Sequence, residues 1–224
     1  MTEPIFITLY LSLKVAGLAT LLNIIVGTAA GFALARLKFW GRDFLDTVLT
    51  LPMVMPPTVL GYYLLVLLGR KGPLGSWLQE HFGITLIFTW QGAVIAAMVV
   101  TFPLIFKPAR AAFENVNPQL EQAARSLGLG AAAVFFRVSL PLAWRGILAG
   151  VLLAFARALG EFGATLMVAG SIPNETQTLS IAVYEAVQAG NDSLANSLVL
   201  LISVVCVVIL LAIGRVAGGK ERKA

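Results

Sequence analysis

Charge is scarce in this chain: only 12% of its 224 residues are Asp, Glu, Lys or Arg. Cysteine and histidine are scarcer, with one of each, Cys206 and His81. A single cysteine excludes a disulfide within the chain and a cysteine-based metal site. The lone histidine has no cluster of metal-ligating residues near it and falls in a loop between hydrophobic runs. Neither a metal centre nor a Ser/His/Asp or paired-glutamate catalytic arrangement is therefore expected, and the chain does not read as an enzyme. The GxxxxGK[ST] pattern is missing, so ATP is not bound through that motif. No basic stripe interleaved with aromatics occurs, which argues against nucleic acid. No internal repeat or low-complexity segment stands out, and no polar stretch is long enough to fold alone. Residues 1–224 read as one domain.

Apolar residues make up 58% of the chain, and the mean hydropathy is +0.89. A soluble domain of this size has too little interior to hide so much apolar surface. The composition predicts an all-α, polytopic membrane protein. Five spans are expected: Leu11 to Leu34, Val48 to Leu68, Gly92 to Phe113, Ile147 to Ala169 and Leu194 to Gly214. The first carries Lys14 near its start but runs too long for a signal-peptide core, so it reads as a retained span.

Basic residues set the expected orientation. One set of loops holds twelve: Arg36, Lys38, Arg42, Lys107, Arg110, Arg125, Arg137, Arg145, Arg215, Lys220, Arg222 and Lys223. The other holds three, Lys14, Arg70 and Lys71, while Arg157 lies inside the fourth span. The richer side is assigned to the cytoplasm, which places the N-terminus outside and the C-terminus inside. Two long outer loops carry short helix candidates, Ser76 to His81 and Leu179 to Val187, which read equally well as simple connections.

The longest cytoplasmic segment that still reads as helix is Asn117 to Pro141. Asn117 suits an N-cap and Pro118 the first helical position. Leu120, Ala123, Ala124 and Leu127 recur at three- and four-residue spacing as one apolar face, with Glu121, Gln122 and Arg125 on others. Gly128 is expected to stop this helix in a left-handed conformation. A second short helix is expected from Ala131 to Val138, ended by Leu140-Pro141. Such a pair suits a mechanical coupling element, although physics alone favours the plainer reading of an ordinary surface helix pair.

Two spans carry residues that are costly in a bilayer. The second contains Pro52, Pro56 and Pro57, each of which removes a backbone donor and disturbs the preceding turn. Such breaks persist only where protein or a cavity covers the freed carbonyls. Pro57-Thr58 offers a helix restart whose N–H groups suit an anion; the alternative is a structural kink. In the fourth span Arg157 and Glu161 are spaced to meet on one helical face. Either they simply neutralise each other, or Arg157 supplies positive potential along an anion path and Glu161 holds it there. Gly160, Gly163 and Ala164 permit close approach of another helix.

The 117–141 stretch resembles the cytoplasmic motif of permease subunits of ABC importers: E-A-A, three residues, G, nine residues, I, one residue, L-P. Here it stands as Gln122-Ala123-Ala124, Gly128, Val138, Leu140 and Pro141, departing at Gln122 for Glu and Val138 for Ile. The wording ALGEFGAT, PPTVLGYYLL and IPNETQTLSIAVY resembles the molybdate branch of that family, and sulfate permeases share much of the GEFG wording. The resemblance implies a type I importer permease fold and a multi-pass location in the bacterial inner membrane. It implies that Gln122, Ala123, Ala124, Gly128, Val138, Leu140 and Pro141 form the contact with a separate ATPase. Pro56, Pro57, Thr58, Arg157, Glu161 and Gly163 are the candidates for the translocation pathway or gate. The implied partners are a second copy of the chain, cytoplasmic ATPase subunits that use ATP and Mg, and an external oxyanion-binding protein. The chain itself is expected to bind no cofactor. The expected substrate is molybdate, with tungstate, sulfate or another oxyanion as the alternative within the family and an ATP-independent channel or carrier as the alternative outside it.

Overall fold

A computed structural model describes residues 2–218, with side chains described over 5–211. Lys220, Arg222 and Lys223, and the side chain of Arg215, lie outside the described residues. Helices joined by turns and loops make up the described residues, with no strand among them. Its elements in order are α1 (Thr2–Arg36), α2 (Arg42–Thr50), a 3-10 turn (Leu51–Met53), α3 (Pro57–Leu68), α4 (Pro73–Phe82), α5 (Trp90–Glu114) and α6 (Pro118–Ser126). There follow α7 (Ala131–Val134), a π turn (Phe135–Ser139), α8 (Leu140–Leu159), α9 (Gly163–Ala169), α10 (Leu179–Gln188) and α11 (Asp192–Gly218).

Helix α5 is the axis of the bundle. Ala93, Ala96, Ala97, Ile105, Phe106, Ala109 and Phe113 are all fully buried along it. Small residues let its neighbours close in: a Cβ on Gly150 of α8 would lie 2.7 Å from the Leu104 carbonyl oxygen of α5. This is the packing expected where helices associate without a hydrophobic drive from water. A polar clasp adds to it. The fully buried Asn23 of α1 donates to the Met98 carbonyl at 2.9 Å and to Thr101 Oγ1 at 3.0 Å, both on α5.

Among the described residues four helices are long and apolar enough to cross a bilayer, or five if one bent pair counts as a single span. That pair corrects the reading of Val48 to Leu68 as one continuous span. The helix is lost between Met53 and Pro57, and the two halves bend by 109°. Pro56 and Pro57 lack N–H groups, and each bars its predecessor from helical dihedrals, so Pro56 stands extended (ψ 135°) and Pro57 begins a fresh helix. At 12 residues, α3 alone reaches only about 18 Å. Its partner α2 buries no residue. It is fastened to α5 by ions instead: Asp46 meets Lys107 at 2.6 Å and Arg110 at 2.5 Å, and Arg42 meets Glu114 at 2.8 Å.

The expected fourth span, Ile147 to Ala169, is corrected at both ends. Helix α8 stops at Leu159, and α9 starts only at Gly163. At the other end the helix does not stop at Leu140-Pro141. Residues Ala131–Leu159 pass as one 29-residue span because the π turn widens the ladder just before Pro141, with the Leu140 N–H bonded to the Phe135 carbonyl. The two loop helices expected at the other end of the bundle are present as α4 and α10. Leu179 and Ile181 of α10 are buried, so it is packed into the bundle rather than lying as a loose connection.

Candidate functional site

Two groups of sequence candidates form two separate places. The first is α6. Asn117 caps it through Oδ1, which accepts from the Gln119 N–H at 2.9 Å, with Pro118 at the first position. Gly128 follows at φ 87°, the left-handed value expected. Periodicity leaves open which face of α6 turns inward, and the fold decides it. Glu121 and Ala124 are buried, while Leu120 and Ala123 stand exposed and Leu127 is 85% exposed. Three of the four stripe residues, Leu120, Ala123 and Leu127, therefore face away from the protein, and Ala124 alone turns inward. This nine-residue helix thus presents two leucines outward and turns one carboxylate inward.

The other motif residues divide between surface and support. Gln122, Ala123 and Gly128 lie on the outer side, and Pro141 is exposed at the foot of α8. Ala124 is buried, and Val138 and Leu140 are half-buried. Leu140 packs on the cluster of Ala109, Phe113, Val116, Ala143 and Ile147. Phe32, Phe113 and Phe135 meet beneath α6 at centroid distances of 4.7 to 6.0 Å.

Periodicity puts Glu121 on a polar face of α6, but the fold buries it, and its partners are not legible in the sequence. Its Oε1 accepts from Arg36 Nη2 at 2.7 Å, Arg36 Nε at 3.1 Å and Ser139 Oγ at 2.8 Å. Burial works to raise its pKa. The hydrogen bonds from Arg36 and Ser139 and the charges of Arg36 and Arg125 outweigh this and hold the carboxyl below its ordinary value. The available signal was its three-residue spacing from Ala124 together with an arginine at the end of the first span.

The second place is a pocket of about 550 Å³ where the two span breaks meet. Pro57, Thr58, Arg157, Glu161 and Gly163 all line it, with Phe162 beside them. Pro56 does not line it but caps α3 from just outside. The approach is close: a Cβ on Gly163 would lie 3.2 Å from Pro57 Cβ and 3.3 Å from the Thr58 N. Glu161 falls in the 160–162 break rather than on a helix shared with Arg157, yet its Oε2 lies 2.8 Å from Arg157 Nη1. That contact is ionic in distance without the alignment of a hydrogen bond. Oε1 accepts from the Ala164 N–H at 2.9 Å, in the first turn of α9. The Glu161 side chain is 1% exposed and that of Arg157 is 37% exposed. Both residues line the pocket, but the acid is almost wholly buried while the arginine stays partly exposed. A larger cavity of about 780 Å³ between α3, α4 and residues 85–88 holds none of the candidates; apolar side chains such as Leu65, Leu68 and Phe88 line it together with Arg70 and Lys71.

Among the described residues no group of three His, Cys, Asp or Glu side chains is placed to hold a metal ion.

Comparison with known proteins adds the following. The pattern of the family described as "Binding-protein-dependent transport system inner membrane component" matches residues 23–219. The "Molybdenum transport system permease protein ModB" of Escherichia coli (strain K12) is 46% identical over 213 residues, covering 95% of this chain and 93% of that one. The "Putative molybdenum transport system permease protein YvgM" of Bacillus subtilis (strain 168) is 43% identical over 205 residues, covering 92% and 88%. Among solved structures, an inward-facing conformation of the MetNI methionine ABC transporter superposes with a TM-score of 0.72 at 16% identity, covering 98% of this chain and 99% of that one. That last likeness concerns the fold alone.

Proposed function

The chain belongs to the family of binding-protein-dependent transport system inner membrane components, and from that premise we propose that it is the membrane subunit of an ATP-driven importer that carries molybdate inward. The observation that carries this reading is similarity at 46% identity, along nearly the full length of both chains, to a protein named as a molybdenum transport permease. The subunit does no catalysis itself. ATP, with Mg, is hydrolysed in a separate partner.

In this reading the end of the bundle bearing Arg36, Arg110 and α6 faces the cytoplasm, by the bias of its basic residues. The N-terminus lies outside and the C-terminus inside. The exposed stripe of Leu120, Ala123 and Leu127 enters a cleft of the ATPase, with Gln122 and Gly128 beside it. Two copies of the chain pair across the pathway, each with its own ATPase, and an external binding protein delivers the oxyanion. When the ATPase pair closes on ATP, the two α6 helices move together and the path opens outward. Hydrolysis returns it inward.

The pocket at the two span breaks belongs to the pathway. Discontinuous helices are tolerated in a bilayer where they line a cavity. The Thr58 N–H sits in the first turn of α3 without an intrahelical acceptor, and the Arg157 edge is open to the same space. Glu161 orients Arg157 and cancels part of its charge, so that a passing divalent oxyanion is attracted without being trapped.

Uptake by proteoliposomes holding the permease, the ATPase and the binding protein tests the substrate. Labelled molybdate should enter, tungstate should compete for entry, and sulfate should compete weakly. Sulfate uptake at a rate equal to or above that of molybdate would replace this reading by its sulfate alternative.

A further inference from the structure

Among the described residues, no side chain of α6 other than Glu121 forms a hydrogen bond or ion pair with another element. Glu121 makes three such bonds, all to one oxygen, Oε1. Arg36 is the last residue of α1, 85 positions away, and its Nη2 also donates to the Val116 carbonyl at 3.3 Å. Ser139 is the last residue of the π turn under α8 and is fully buried. Three elements distant in the chain thus converge on one carboxylate oxygen.

We propose that Glu121 is the positioning residue that passes movement of α6 to the membrane helices, locking the end of α1 and the foot of α8 to the docking helix. The proposal rests on the reading of α6 as the ATPase-docking helix and says how its displacement leaves the docking site. Both ends of α6 are turns, the Asn117 cap and the left-handed Gly128, and turns yield when pushed. A charge-assisted bond to Arg36 does not yield in the same way, because separating the partners strands a buried charge. The hydroxyl of Ser139 extends the link to α8, whose far end carries Arg157 at the pocket. The link is a contiguous set of bonds and rigid helices, the kind of path that carries coupling between distant sites.

The test uses the reconstituted complex of permease, ATPase and molybdate-loaded binding protein. Three quantities are read: ATPase retained on the purified permease, stimulation of ATP hydrolysis by the loaded binding protein, and molybdate taken up per ATP. Glu121→Gln should retain the ATPase at wild-type stoichiometry, while stimulation and uptake per ATP fall at least about fivefold. Ser139→Ala should act in the same direction by a smaller factor, about threefold. Wild-type stimulation and uptake per ATP in Glu121→Gln would overturn the proposal. Loss of the ATPase from that variant would overturn it too, since Glu121 would then shape the docking surface rather than transmit from it. If Glu121→Gln fails to accumulate in the membrane, Ser139→Ala is judged by the same criteria. Ala123→Arg, prepared in parallel, reports on the docking reading separately: an ATPase still bound and coupled there would sink that reading whatever Glu121 does.

Discussion

Two buried glutamates, each paired with an arginine, stand at the two candidate sites, α6 and the pocket. Glu121 binds Arg36 across 85 positions of sequence, and Glu161 binds Arg157 four positions before it. In the first pair the acid accepts from two arginine nitrogens and from Ser139, and only 21% of the Arg36 side chain is exposed. In the second pair the acid divides itself between Arg157 and the first turn of α9, and the arginine keeps an edge on the pocket. The same two residue types therefore serve opposite ends. A long-range pair with its hydrogen bonds filled fixes elements to one another. A local pair with one partner partly exposed leaves a charge accessible, which is the role proposed for Arg157.

The largest effect should come from the surface that the first pair supports. Ala123→Arg and Gly128→Arg should reduce uptake to background and strip the ATPase from the purified permease, with the permease still present in the membrane by immunoblot. Normal uptake in either variant would break the docking half of the comparison.

Next comes the charge exchange at the pocket, Arg157→Glu with Glu161→Arg. Mere neutralisation would survive it. Because the Arg157 edge faces the pocket, the exchanged pair should assemble normally and carry molybdate at least about tenfold more slowly, a barrier change of about 1.4 kcal/mol. Near-normal transport would reduce Arg157 and Glu161 to a structural pair.

A smaller but separable effect concerns stability. Glu121→Ala leaves Arg36 largely buried without its acid, which should cost about 3 kcal/mol in chemical unfolding of the detergent-solubilised permease. The acid limb has a definite sign. The folded-state pKa of Glu121 lies below its ordinary value of 4.5, so its stabilisation is fully present above about pH 4.5 and is lost as pH falls through the folded value. Wild-type stability should therefore drop on acidification below pH 4.5 by more than that of Glu121→Gln. Equal acid limbs would contradict the role given to the pair.

The smallest effect should be at Glu114, whose carboxylate joins Arg42 and Arg110 but is 43% exposed. Glu114→Gln should change stability by less than about 1 kcal/mol, measured the same way.

Much of this was legible in the residues. Hydropathy located the long helices, and capping logic found α6 and its Gly128 stop. Spacing named five of the residues that line the pocket, although they come from two distant spans. The errors share a cause. Hydropathy runs unbroken through Pro56-Pro57 and through Gly160 to Gly163, so both broken spans read as continuous until backbone donors are counted. The helix stop assigned to Leu140-Pro141 failed because a proline is accepted where a π turn has already opened the ladder. Local periodicity gave α6 an apolar face but not the direction it faces. That direction is set by Arg36 and Ser139, which arrive from other elements and make the carboxylate, rather than the leucines, the buried side.

Whether this chain works through an attached motor can be measured directly. Molybdate uptake should be measured in proteoliposomes carrying the permease with and without its ATPase, at saturating loaded binding protein and with ATP on the ATPase side. The account predicts uptake only when ATPase and ATP are both present, and none with Ala123→Arg. Uptake that persists without the ATPase, or without ATP, would contradict it and return the chain to the class of ATP-independent carriers.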